Sequence, residues 1–196
     1  AKLGLPVPPG FTISTKVCEY FYKSNKKIPK KVVKQTKNEI GVIERITKKK
    51  FGDLSNPLLV SVRSGSRVSM PGMMDTILNL GLNDKTVIAL KNKTSNGRFA
   101  KDSYRRLIQM YSNVVFGIDS HLFEELIENY KLTKGVTQDT QLDEDDWEGL
   151  IKNFKEIVKE KTKKKFPQDV NEQLWGAIGA VFLSWNSKRA KTYRKI

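Results

Sequence analysis

From Asn83 to the carboxy terminus the apolar residues recur only at helical spacing, and this change of periodicity constrains the fold more than any other feature of the 196-residue chain. Amphipathic helices must lay their apolar stripes against one another, so that half of the chain has to build a helix-on-helix core. The spacing predicts helices over about 84–93, 98–116, 120–131, 144–163 and 170–185, with a last one starting after Ser187. Gly117 and Gly135 read as helix stops, and Asp169 followed by Glu172 reads as a capping box. Ahead of Asn83 the pattern is mixed. Leu3 to Gly10 holds three prolines and two glycines, which denies it regular helix and makes it an ordered connector or the rim of a site. Phe11 to Ile13 reads as a short strand. Ser14 or Thr15 can cap a helix over 16–23 with Val17, Tyr20 and Phe21 inward, and Pro29 suits the first turn of the next one. In that helix Val32, Val33, Ile40, Ile43 and Ile46 recur at helical spacing until Phe51-Gly52 stops it, and Leu58 to Val62 reads as a buried strand. The expected fold class is therefore α+β, mostly helical.

Composition narrows the function classes. With 38% hydrophobic residues a chain of this length can bury about 70% of its unfolded surface. No run approaches the roughly 18 apolar residues of a membrane span, and no secretory signal is present, so a soluble, cytoplasmic protein with no membrane partner is expected. One cysteine, Cys18, excludes an internal disulfide, and one histidine, His121, excludes a Cys/His zinc site.

The net charge of +15 invites a nucleic-acid reading, and a basic helical nucleic-acid-binding module is the alternative to the reading developed below. Against it, 28 of the 36 basic residues are Lys, gathered on expected helix faces such as Lys30, Lys31, Lys34 and Lys37 or Lys159, Lys161 and Lys163 to Lys165. That pattern suits a solvated surface, and the aromatic residues fall at core spacing rather than between the lysines. The arginines behave differently. Five of the eight, Arg63, Arg67, Arg98, Arg105 and Arg106, lie between positions 63 and 106. A planar guanidinium grips phosphate oxygens two at a time, so its local retention in a lysine-rich chain points to a phosphorylated ligand.

Val60 to Arg67 is a strand running into a loop of small hydroxyl residues and glycine, with two arginines four positions apart, and such a strand end can offer amides, hydroxyls and guanidinium groups to a polyphosphate together. Val68 to Thr76, with Pro71-Gly72 at its centre and Met70, Met73 and Met74 around it, is an apolar loop able to close over a ligand and exclude water. Taken singly, each feature also has an ordinary structural explanation: an arginine paired to a carboxylate, methionines filling a core, Gly65 serving a turn. No Walker pattern occurs, so the site is not a P-loop.

On these residues the chain resembles a known family. Leu59 to Leu82, LVSVRSGSRVSMPGMMDTILNLGL, looks like the signature of pyruvate, phosphate dikinases in their amino-terminal, ATP-grasp-like nucleotide-binding domain. Leu3 to Thr12, Asp102 to Arg106 with Gln109 to Tyr111, Ala180 to Trp185 and Arg189 to Arg194 match as well, so the resemblance covers nearly the whole chain. It implies an enzyme that turns ATP, phosphate and pyruvate into AMP, pyrophosphate and phosphoenolpyruvate through a phosphohistidine, with Mg²⁺ and a monovalent cation. It implies that Arg63 holds the polyphosphate and stabilises charge in transfer, with Arg67 near it. Arg106 then reaches the phosphates from the other side, and Met70, Pro71, Gly72, Met73, Met74, Asp75 and Thr76 cover the nucleotide. Residues 1–82 with 172–196 would form an α/β subdomain and 83–171 an inserted all-α helical subdomain. The partners implied are ATP, a phosphohistidine domain, a pyruvate-binding barrel and a second copy of the parent enzyme. The family's ATP-contacting lysine loop is expected before Ala1, and its acidic metal ligands beyond Ile196, so the chain on its own is expected to be inactive. His121 lacks the family's Thr-Ser-His setting and reads as a surface residue, not the phosphate carrier.

Overall fold

The computed structural model describes residues 7–65 and 74–195. Eight helices and four short strands follow one another among them: α1 (Thr15–Lys23), α2 (Lys30–Thr47), β1 (Lys50–Phe51), β2 (Pro57–Leu58), β3 (Val60–Arg63), β4 (Thr76–Leu80), α3 (Thr86–Thr94), α4 (Gly97–Phe116), α5 (His121–Lys134), α6 (Glu144–Thr162), α7 (Val170–Ser184) and α8 (Lys188–Tyr193). The fold is mostly helical α+β, as the periodicity predicts, and no strand follows Asn83 among the described residues.

One apolar core organises these elements. It runs from Ile77, Leu80 and Leu82 at β4, through Tyr104, Leu107, Ile108 and Tyr111 of α4 and Phe123 and Ile127 of α5, to Trp147, Leu150 and Phe154 of α6. Each such large side chain contributes about 1.5–3 kcal/mol on leaving water. α4 is the central element, packed against β4, α3, α6 and α7. Its crossing with α7 is close because Gly176 stands there: a Cβ on Gly176 would lie 2.1 Å from the Tyr111 hydroxyl oxygen.

The helix ends follow from local chemistry. Asn96 accepts the Phe99 amide to start α4, and Gly117 and Gly135 close α4 and α5 in the left-handed conformation. Asp143 and Asp146 exchange side-chain to amide hydrogen bonds in a full capping box at the start of α6. Asp169 caps α7 through the Asn171 amide alone, without the return bond from Glu172 that the sequence suggests.

Four expectations ahead of Asn83 are corrected. Phe11 to Ile13 is not a strand, and no segment among the described residues pairs with it. Tyr20 and Ile46 point outward, 50% and 63% exposed, since the described residues cover only one flank of α1 and of α2. Pro29 precedes α2 as its N-cap instead of entering the first turn. Leu58 to Val62 is not one strand: Leu58 belongs to a parallel pair with β1, whereas Val60 begins β3, which pairs antiparallel with β4.

The turn out of β4 has a strict requirement. Gly81 sits at φ +108°, and a Cβ there would lie 2.8 Å from the Leu58 carbonyl oxygen and 3.0 Å from the Phe51 ring, so only glycine fits. Gln173 of α7, fully buried, locks the same turn: it accepts from the Gly81 amide at 3.1 Å and donates to the Leu82 and Pro167 carbonyls at 2.9 Å each.

Candidate functional site

Alternation along β3 decides where Arg63 goes. Val60 and Val62 are half-buried on the core side, so Ser61 and Arg63 fall on the opposite, exposed side. In the antiparallel register Val62 stands opposite Ile77 and Arg63 opposite Thr76, with a bulge between Val60 and Val62. The Arg63 guanidinium has no ion-pair or hydrogen-bond partner among the described residues. The carboxylate pairing that would give it an ordinary structural role is therefore absent there.

The residues that follow are tied to the carboxy-terminal helices. The Asp75 amide donates to Ser184 Oγ at 3.4 Å, and the Asp75 carboxylate meets Arg189 of α8 at 3.3 Å. Met74 and Thr76 are half-buried beside it. Arg67, Met70, Pro71, Gly72 and Met73 lie outside the described residues.

Arg106 comes from α4, which runs along β4. The Leu78 amide donates to Met110 Sδ at 3.2 Å, and Asn79, held in the left-handed region at φ 59°, donates from Nδ2 to the Ser103 carbonyl at 3.2 Å. Arg106 lies one turn beyond Ser103 and one turn before Met110, and thus on the helix flank that borders β4. The strand that pairs with Arg63 and the helix that carries Arg106 are in this way packed together.

Two adjacent arginines on α4 take opposite roles. Arg105 turns inward: its guanidinium lies 4.5 Å from the centre of the Trp147 ring, donates to Gln109 at 3.2 Å and approaches Asp139 at 3.7 Å. Arg106 stays out, with its side chain 58% exposed. One carboxylate holds both, Asp102 meeting Arg105 through Oδ1 and Arg106 Nε through Oδ2, the latter at 3.1 Å. In the sequence Asp102 is marked only by its i, i+3 and i, i+4 spacing to two arginines.

Burial, and then the neighbouring Asp84 carboxylate, pushes the Tyr104 hydroxyl above the ordinary tyrosine range. The Asp53 carboxylate, receiving the Asn56 and Ser55 amides, is lowered to about 2 and serves its turn. An open depression of about 430 Å³ lined by Arg45, Lys48, Lys49, Lys50 and Asp53 contains none of the arginines singled out in the sequence, and its lysines are exposed. No group of three His, Cys, Asp or Glu able to hold a metal ion occurs among the described residues, and none of the described helices is long and apolar enough to cross a membrane. His121 is exposed at the start of α5.

The fold and the arginines define a mostly helical α+β segment with an exposed arginine, Arg63, at the end of a strand. Over its whole length the chain is homologous to one segment of the pyruvate, phosphate dikinases. It is 52% identical over 195 residues to the Rhizobium meliloti protein of that name, covering 100% of this chain and 22% of the relative. The Clostridium symbiosum pyruvate, phosphate dikinase is 51% identical over 195 residues, with 99% of this chain and 22% of the relative covered. That of Entamoeba histolytica is 48% identical over 194 residues, with the same shares of 99% and 22%. The chain thus spans about a fifth of the length of the curated relatives it matches. No protein-family model matches it.

Proposed function

We propose that this chain is one wall of the nucleotide site of a pyruvate, phosphate dikinase, a cytoplasmic enzyme converting ATP, phosphate and pyruvate to AMP, pyrophosphate and phosphoenolpyruvate through a phosphohistidine. The observation that carries the reading is the Arg63 guanidinium, standing at a strand end with no counter-ion among the described residues, in a chain 52% identical to an enzyme of that name. Such a transfer needs positioning and electrostatic stabilisation more than a general base, and arginine supplies both. In this reading Arg63 and Arg67 hold the polyphosphate, Arg106 meets it from α4, and Met70 to Thr76 cover the nucleotide. Residues 1–82 with 172–196 belong to an ATP-grasp-like α/β subdomain and 83–171 to an inserted helical subdomain. The phosphohistidine domain, the pyruvate-binding barrel and a second copy of the enzyme are the partners.

The Mg²⁺ and monovalent cation of such a reaction do not fit the described residues by themselves. Hard cations take several oxygen ligands, and the acidic group beside β4, Asp75, is already paired with Arg189. In this reading the ligands of both ions lie outside the described residues, among which no group of three His, Cys, Asp or Glu able to hold a metal ion occurs.

Calorimetric titration with Mg-ATP tests the reading, applied to this chain and to a longer form that includes the adjoining segments of the parent protein. ATP binding by the longer form, abolished by Arg63→Ala, is the expected result. Binding by neither, together with tight, steeply salt-dependent binding of duplex or single-stranded nucleic acid, would favour the basic-module reading instead.

A further inference from the structure

Asp102 is the group that the nucleotide reading leaves unused. Its side chain is only 15% exposed, and its two oxygens divide between two arginines with different surroundings. Arg105 is immobilised by Trp147, Gln109 and Asp139, and through Oδ1 it fixes the Asp102 carboxylate. The second oxygen then grips Arg106 at Nε, leaving both Nη groups without a partner among the described residues. Charge strengthens the point: one carboxylate shared by two guanidinium groups cannot neutralise both, and Asp139, the other anion near Arg105, is also bonded to Lys131 at 3.1 Å. The exposed member of the pair keeps net positive character while its plane is held from behind.

We propose that Asp102 is a positioning residue for Arg106: it orients the guanidinium through Nε so that both Nη groups face the phosphates of a bound nucleotide. The inference rests on the nucleotide reading above and adds how Arg106 is aimed. A guanidinium pre-oriented at Nε loses less side-chain freedom when it meets an anion, which is where the gain in affinity arises.

The test is a double-mutant cycle in the complete parent protein, reading Mg-ATP affinity for the wild type, D102N, R106A and D102N/R106A. Asparagine has one acceptor oxygen for two guanidinium groups, so one of them is released. The expected result is a weakening of about tenfold or more in D102N, the loss of one charge-assisted hydrogen bond, and no further weakening when D102N is added to R106A. A purely structural Asp102, acting through Arg105, would weaken binding equally in both backgrounds and overturn the proposal. R106A without effect would remove the nucleotide role of Arg106 and this inference with it; R106A harmful and D102N silent would remove this inference alone. A measurement without substitution guards against a D102N that fails to fold: proton exchange at the arginine Nε groups by nitrogen-15 NMR on this chain. Arg106 Nε–H is expected to exchange several-fold more slowly than that of Arg63, and equal rates would refute the grip.

Discussion

Replacing Gln173 with leucine should destabilise the chain far more than a helix-surface position would. Gln173 is fully buried; two of its three hydrogen bonds reach the turn after β4, at Gly81 and Leu82, far away in sequence, and the third holds the α6–α7 connection at Pro167. Leucine keeps the volume and removes every partner, leaving one amide N–H and two carbonyls without them. An orphaned buried group costs about 1–3 kcal/mol, the amide more reliably than a carbonyl with its second lone pair. Allowing about 1–2 kcal/mol in return for the apolar side chain, the net loss is about 2–4 kcal/mol. Against a total of about 5–15 kcal/mol for a domain, that is a large fraction. Urea unfolding followed by tryptophan fluorescence should show the midpoint falling with little change in slope, because Trp147 is buried in the same core. A loss below about 1 kcal/mol would refute the reasoning that Gln173 is the lock on the β4 turn.

Three further outcomes follow from the packing and the charges. Gly176→Ala should cost about 1–3 kcal/mol by overpacking against the Tyr111 hydroxyl, and adding Tyr111→Phe should recover part of that loss in a thermal melt. Gly81→Ala, strained at φ +108° and crowded by the Leu58 carbonyl, should cost about 2 kcal/mol or more by the same assay. The α5–α6 corner should weaken in acid. Burial raises the Asp146 carboxyl, but the Lys134 pair, the Asp143 amide and the Tyr130 hydroxyl outweigh it and leave Asp146 below its usual range. Asp143 is lowered as well, first by the Asp146 amide and then by Lys134. A depressed carboxylate stabilises the fold fully above the unfolded value of about 3.9 and loses that contribution as pH falls through the folded value, so Asp146→Asn should flatten the stability profile below about pH 4.

How much of this was legible in the sequence depends on whether the signal was local. Gly117 and Gly135 mark helix ends by their own backbone chemistry, and the helices after Asn83 fall within a few residues of their expected bounds. β4 was missed because it does not alternate. Ile77 and Leu80 are both buried, three positions apart, with Asn79 turned into the left-handed region between them. The gap in the Leu58 to Val62 run was equally hidden, since a change of pairing partner at Leu59 leaves no mark on hydrophobicity. Arg63 and Arg106 stood out by residue type in a lysine-rich chain. That Arg105 would turn onto Trp147 and leave Arg106 outside depends on a residue of α6 that lies 42 positions further along the chain, and so does the shared role of Asp102. Gln173 gave no signal, because nothing local distinguishes a buried glutamine from a solvated one.

The most direct test of the central claim is the rate of phosphohistidine formation from ATP and phosphate in the complete parent protein carrying Arg63→Ala. A fall of about 10²–10³ with unchanged thermal stability is predicted for the loss of one charge-stabilising donor at the transferring group. A rate equal to the wild type would mean that Arg63 does not meet the polyphosphate, and the nucleotide-facing role of this strand end would have to be abandoned.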